Sequence, residues 1–125
     1  MADYEFNLPW PPTVNHYHQP IRRGKGVRII KGAKAREYAK DAGKVIDALS
    51  LTGEAISVKV AISITLHPPT LASYDVDGRP KGILDALTEA GFWLDDSQVQ
   101  RMTVEKGEKV KGGVVVVKVD LLNAE

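Results

Sequence analysis

Two aspartates stand two residues apart in the run Asp75-Val76-Asp77-Gly78-Arg79-Pro80-Lys81. On an extended backbone both side chains would point to one side, with Cα atoms about 6.5–7 Å apart. Two carboxylates so placed can share a hard divalent cation through oxygen ligands and waters. Magnesium takes one or two protein carboxylates and keeps the rest of its shell for water and substrate phosphate. Asp95 or Asp96, from a second acidic pair, could complete such a site. Lys81, four residues beyond Asp77, puts an ammonium within reach of a phosphate oxygen or an attacking water. These are the parts that metal-assisted phosphodiester hydrolysis needs. The cation acidifies a bound water and offsets charge on the phosphoryl oxygens. The lysine adds positive charge where the transition state gains negative charge. The plain alternative is a structural turn, since Asp-x-Asp pairs are common in turns and Gly78 and Pro80 suit one. Asp85, eight residues past Asp77, reads as a surface or helix–loop hydrogen-bonding residue rather than a ligand.

Other chemistries find less support. His16-Tyr17-His18 has the spacing of a transition-metal clamp, but His67 is the only other histidine and is distant in sequence. A loop contact with a partner or with DNA suits the pair better. No serine sits in a Gly-x-Ser-x-Gly turn, and Gly24-Lys25-Gly26 is too short for a phosphate loop. The absence of cysteine excludes disulfides, a thiolate zinc site and a cysteine nucleophile.

Charge is balanced in total, at +1, but not in position. From Arg22 to Arg36 there are seven basic residues (Arg22, Arg23, Lys25, Arg28, Lys31, Lys34, Arg36) and no acid. From Asp75 to Asp96 there are six acids against Arg79 and Lys81. A phosphate-binding arm beside an acidic, metal-seeking centre has this distribution. A solvated basic loop and scattered surface acids have it too.

The elements that must hold these residues are legible. The 125 residues are room for one domain, residues 1–125, with 43% apolar and 26% charged residues, an ordinary globular balance. The longest apolar run, Val114 to Val117, is far below the ~20 residues of a membrane helix. Met1-Ala2-Asp3-Tyr4-Glu5 lacks the basic and apolar stretches of a signal peptide, so a cytoplasmic protein is expected. Tyr4, Phe6 and Leu8 alternate with polar residues as a strand that Pro9, Pro11 and Pro12 stop. Residues 13–26 read as a loop, and Val27 to Ile30 as a short strand. Ala33 to Leu49 reads as a helix with Tyr38, Ala42, Val45, Ile46 and Leu49 on one face. Ile56 to Leu66 alternates at period two over its whole length, the pattern of a half-buried strand. Pro80 opens a second helix with the stripe Ile83, Leu84, Leu87 and Ala90, and Gly91 follows its end. Phe92-Trp93-Leu94 reads as an apolar plug and Asp95-Asp96-Ser97 as a turn. Strands are expected over Gln100–Lys106 and Gly113–Leu122, with Val115, Val117, Val119 and Leu121 on the inner face. The order predicts an α+β fold, a mixed sheet with two helices packed on one face.

Two stretches, taken together, resemble a known family. One is Leu8-Pro9-Trp10-Pro11-Pro12-Thr13-Val14-Asn15 with His16-Tyr17-His18. The other runs from Asp75-Val76-Asp77 through Lys81 and Asp85-Ala86-Leu87 to Ala90-Gly91-Phe92-Trp93-Leu94-Asp95-Asp96-Ser97-Gln98-Val99. Both are similar to the RusA family of Holliday-junction resolvases of bacteria and their prophages, with the same order and spacing. The resemblance implies a magnesium-dependent endonuclease that cuts four-way DNA junctions as a homodimer in recombination and repair. It implies that Asp75, Asp77 and Asp96 are the catalytic, Mg2+-holding carboxylates and that Lys81 is functional. Two departures stand out. Gly78 occupies a position where the family often has Asn. Thr70-Leu71-Ala72-Ser73-Tyr74 stands where the well-studied branch has a run of arginines. DNA contact is therefore assigned to Arg22, Arg23, Lys25 and Arg28. Two other readings fit the same residues: a branched-DNA-binding protein that does not cut, and a nuclease for other branched DNA.

Overall fold

Alternation along Ile62, Ile64 and Leu66 turns these side chains to one face of a strand, and all three are buried. In a computed structural model the described residues are 2–12, 18–23, 26–31, 33–49, 55–71 and 76–122. For 18–23, 26–31 and Asp77 the description is of backbone. The strands and helices are β1 (Tyr4–Leu8), β2 (His18–Arg23), β3 (Gly26–Lys31), α1 (Ala33–Ala48), β4 (Val60–His67), α2 (Pro80–Glu89), β5 (Val99–Lys106) and β6 (Val114–Leu121). Four strands form a mixed sheet in the order β1-β6-β4-β5, with β4 and β5 parallel and the other pairs antiparallel.

Register stacks the apolar rows. Ile62 opposes Val119, Ile64 opposes Val117 and Leu66 opposes Val115. Phe6 and Leu8 of β1 oppose the same Val117 and Val115 from the other side. This face joins the buried residues of both helices in one core. α1 supplies Ala35, Tyr38, Ala39, Ala42 and Ile46, and α2 supplies Ile83, Ala86 and Leu87. Two helices on one face of a mixed sheet is the α+β arrangement that the element order predicts. No helix among the described residues is long and apolar enough to cross a membrane.

α2 starts with Pro80 in its first turn, where the missing N–H costs nothing. It ends in a Schellman motif. Gly91, at φ 83°, donates to the Thr88 carbonyl at 3.1 Å, and Phe92 donates to Leu87 at 3.0 Å. The motif turns the chain inward, so Phe92 and Trp93 enter the core at 1% exposure each. Phe92 meets Tyr4 and Phe6 edge-on, with ring centroids 5.5 and 5.3 Å apart. The Trp93 indole N–H donates to the Thr88 hydroxyl at 2.7 Å, which satisfies its one polar atom.

The structure departs from the sequence expectations in four places. His18–Arg23 is a strand, not a loop, and pairs antiparallel with β3 as a separate two-stranded ribbon. Its sequence, HQPIRR, lacks apolar alternation and carries Pro20, which hid it. The β4 strand begins at Val60, not Ile56. Residue 56 leaves the sheet and makes a parallel bridge with Trp93, its N–H bonded to the Phe92 carbonyl at 3.0 Å. Leu94 is 65% exposed, so the plug is Phe92 and Trp93 alone. Leu121 is exposed too, at the end of β6 beyond its last pairing with β1.

Candidate active site

The acidic run enters α2 through a short 3-10 turn, Val76–Gly78. Asp77 therefore sits on helical rather than extended backbone, and the same-side argument for an extended Asp-x-Asp pair does not describe it. Asp75 lies outside the described residues. A Cβ added at Gly78 would meet nothing within 4 Å, so close packing at the Cβ does not require glycine there.

Lys81 lies in the first turn of α2 with its side chain 64% exposed. Its ammonium is 3.5 Å from the Asp85 carboxylate, one turn on. An exposed i,i+4 pair is worth only about 0.3–0.5 kcal/mol, so it aligns the lysine without locking it. Asp85 is thus an ion-pair partner, in keeping with its reading as a surface residue.

The second acidic pair is divided by the fold. Asp95 caps the 3-10 turn Asp96–Gln98, its carboxylate accepting from the Ser97 N–H at 3.2 Å. The hydrogen bonds from Ser97 hold its pKa below the usual carboxylate range. A depressed pKa means that this cap supports the turn above that range and is lost as the pH falls through it. Asp96, half-buried at the first position of the turn, is not used in that cap.

Gln98 completes a capping box that the sequence reading missed. Its carbonyl oxygen accepts from the N–H groups of Asp95 at 2.9 Å and Leu94 at 3.0 Å. Its amide donates to the carbonyls of Ile56 and Val58, both at 2.9 Å. Four bonds saturate this one side chain and tie the Asp96 turn to the segment before β4. The Asp-x-x-Gln spacing was the available signal.

Val76–Gly78 lies against β5, whose first residue follows the Asp96–Gln98 turn, and that turn in its own part contacts α2. Asp77, Lys81 and Asp96 thus belong to the two ends of a single β4–α2–β5 crossover. Among the described residues no group of three or more His, Asp or Glu lies close enough to hold a metal. The donor set is nevertheless the right kind for one. Its members are carboxylates, and hard oxygen ligands suit magnesium. The basic candidates fall on the ribbon: Arg22 and Arg23 on β2 and Arg28 on β3, while Lys25 lies outside the described residues. Register puts Arg28 opposite Ile21, and Arg23 opposite Gly26 two positions along the same row.

Comparison with known proteins adds an independent finding. Residues 9–120 match the family described as Endodeoxyribonuclease RusA. The chain is 37% identical over 113 residues to the crossover junction endodeoxyribonuclease rusA of Enterobacteria phage 82, over 90% of both chains. It is 39% identical over 114 residues, again 90% of both, to the crossover junction endodeoxyribonuclease RusA of Escherichia coli K12 and to that of Shigella sonnei.

Proposed function

The chain belongs to the RusA family of endodeoxyribonucleases, and from that premise we propose that it resolves four-way DNA junctions in recombination and repair. The reading comprises paired symmetric nicks, a requirement for magnesium, and a homodimer as the working unit. One observation carries the site assignment. The Asp96–Gln98 turn spends Asp95 on its cap and leaves Asp96 outside that cap, at the entry to β5, the strand that the Asp77 turn contacts.

Asp75, Asp77 and Asp96 would hold the cation. Magnesium supplies, when bound, a water acidified enough to attack phosphorus and charge to offset the phosphoryl oxygens. Lys81, on its exposed first turn, directs its ammonium to a phosphate oxygen and stabilises the charge that grows in the transition state. Leaving Asp85 costs it little, because at 3.5 Å with the ammonium end in solvent the i,i+4 pair is weak. Arg22, Arg23, Lys25 and Arg28 neutralise backbone phosphates of the junction arms. A two-stranded ribbon such as β2–β3 is a shape that a major groove admits. Two like strands of a four-way junction must be cut at symmetric positions, and a two-fold dimer offers two equivalent sites to such a substrate.

The test is cleavage of a synthetic four-way junction by the purified protein, with magnesium or with chelator, beside linear duplex of the same sequence. Symmetric, magnesium-dependent nicks in the junction alone are expected. Binding without cutting, across several metals and junction sequences, would favour the non-catalytic reading and point to Gly78. Equal cutting of flaps or forks would favour the broader nuclease.

The division of labour in the second acidic pair gives a sharper prediction. Asn caps a helical turn as well as Asp does. Asp95→Asn should therefore keep most of the cutting activity, whereas Asp96→Asn should lose it. Side-by-side junction cleavage rates check this, and the reverse order would overturn the assignment of Asp96.

A further inference from the structure

Arg79 stands between Asp77 and Lys81, at the N-cap of α2, with φ −114° and ψ −34°. Arginine is a poor choice there. Ser, Thr, Asp and Asn are the favoured caps, and Arg79 makes no side-chain cap bond. Its positive charge also faces the positive end of the helix dipole. The local cost points to a gain elsewhere.

That gain is at the other end of the chain. The guanidinium donates through Nη1 to the Pro11 carbonyl at 2.7 Å, and its carbon sits 5.0 Å from the centroid of the Trp10 ring. The Tyr38 hydroxyl donates to the neighbouring Pro9 carbonyl at 2.8 Å. Prolines have no N–H, so each offers the backbone only its carbonyl, and these two side chains take those of Pro9 and Pro11. Pro11 is fully buried, and Trp10 packs against the core. The same residues border an open cleft of about 380 Å³ with Lys34, Glu37 and Asp41 on its α1 side.

We propose that Arg79 is a positioning residue for junction cleavage: by clamping the Trp10–Pro11 segment onto the start of α2, it fixes the Asp77 turn and Lys81 in place. The inference rests on the junction-cutting reading above. Asp77 and Lys81 each lie two residues from this clamp. The 3-10 turn before α2 is short, and Lys81 is itself exposed, so neither supplies much rigidity of its own. Gly78, which adds backbone freedom, adjoins Arg79. The bidentate-capable, ring-stacking guanidinium is chemistry that lysine reproduces only in part.

The experiment uses the full chain, with Arg79→Met, Arg79→Lys, Trp10→Leu and the Arg79→Met/Trp10→Leu double variant. Thermal melting, junction binding in chelator, and cleavage across a magnesium series are measured for each. Arg79→Met should stay folded at the assay temperature and bind the junction like the parent. Its magnesium requirement for half-maximal cutting should rise about tenfold, the scale seen when support around metal ligands is lost. Arg79→Lys should recover part of this. Trp10→Leu should behave alike, and the double variant should be no worse than the poorer single one, since both break one contact. An unchanged cleavage rate and magnesium requirement, even with a lower melting temperature, would reduce Arg79 to a stabilising residue and overturn the proposal. Binding lost in step with cutting would make it a DNA contact and overturn it equally, as would additive losses in the double variant. If Arg79→Met does not fold, Arg79→Lys decides on the same readings. Asp77→Asn is run alongside. If that variant still cuts, the metal reading fails, a result separate from any behaviour of Arg79.

Discussion

Asp77→Asn is expected to lower junction cleavage by at least about a thousandfold, equivalent to about 4 kcal/mol of barrier, while junction binding stays at the parent level. The substitution keeps shape and volume and removes one negative charge. A neutral amide is a poorer magnesium ligand than a carboxylate, so the loss falls on the charge that holds the metal. Binding depends on cations along the DNA backbone, and removing an acid near that surface cannot weaken it electrostatically. Asp77 lies on the turn that contacts β5, next to the strand entered from Asp96. Cleavage assays and gel-shift titrations on the same preparations measure the two quantities. Retained cutting would sink the metal assignment, and lost binding would show that Asp77 serves the fold instead.

Trp93→Ala is expected to cost about 3–5 kcal/mol of stability, the usual range for a large buried aromatic. The domain's whole stability is of the order of 5–15 kcal/mol. Trp93 is 1% exposed, packs beside Phe92 at 5.6 Å between centroids, and donates its N–H to Thr88. Its backbone bridges Ile56, so the cavity would open where the Asp96 turn begins. Thr88 would keep its hydrogen bond to the Leu84 carbonyl at 3.1 Å but lose the indole donor. Chemical denaturation of parent and variant gives the difference. A loss below about 1 kcal/mol would refute the account of Phe92 and Trp93 as the plug, since truncating a buried Phe or Trp to Ala costs about 3–5 kcal/mol.

Much of this architecture is legible in the sequence, for reasons that differ by element. β6 and the inner half of β4 are read correctly because one face is buried and the other is not, which forces alternation. α2 is read at both ends because Pro80 and Gly91 have backbone reasons to be there. The ribbon strand β2 escapes notice because it belongs to a two-stranded sheet whose sequence carries charge and proline rather than an apolar row. The stretch from Ile56 to Lys59 shows perfect alternation and yet leaves the sheet. Its carbonyls at Ile56 and Val58 go to the Gln98 side chain, a tertiary claim that no periodicity records.

The site is legible as a set of residue types but not as an arrangement. The acids and Lys81 announce themselves by chemistry and spacing. The choice between Asp95 and Asp96 needs the cap geometry. Arg79 looks like one more surface cation until its contact with Trp10 and Pro11, 68 positions away, is known. Support residues act across the fold, so local sequence patterns miss them.

The strand order has a consequence for how the protein comes into being. β6 lies between β1 and β4, and β1 has no other neighbour in the sheet. On a ribosome the first of the four strands is made and then waits, because its partner among the described strands is the last of the four to be synthesised. The sheet cannot close until Val114–Leu121 arrives and joins the two halves. Such distant pairing is slow to form. A partly made chain already carries all the candidate carboxylates but has no completed sheet to organise them. A DNA-cutting activity built this way is held back by topology until β6 has been made.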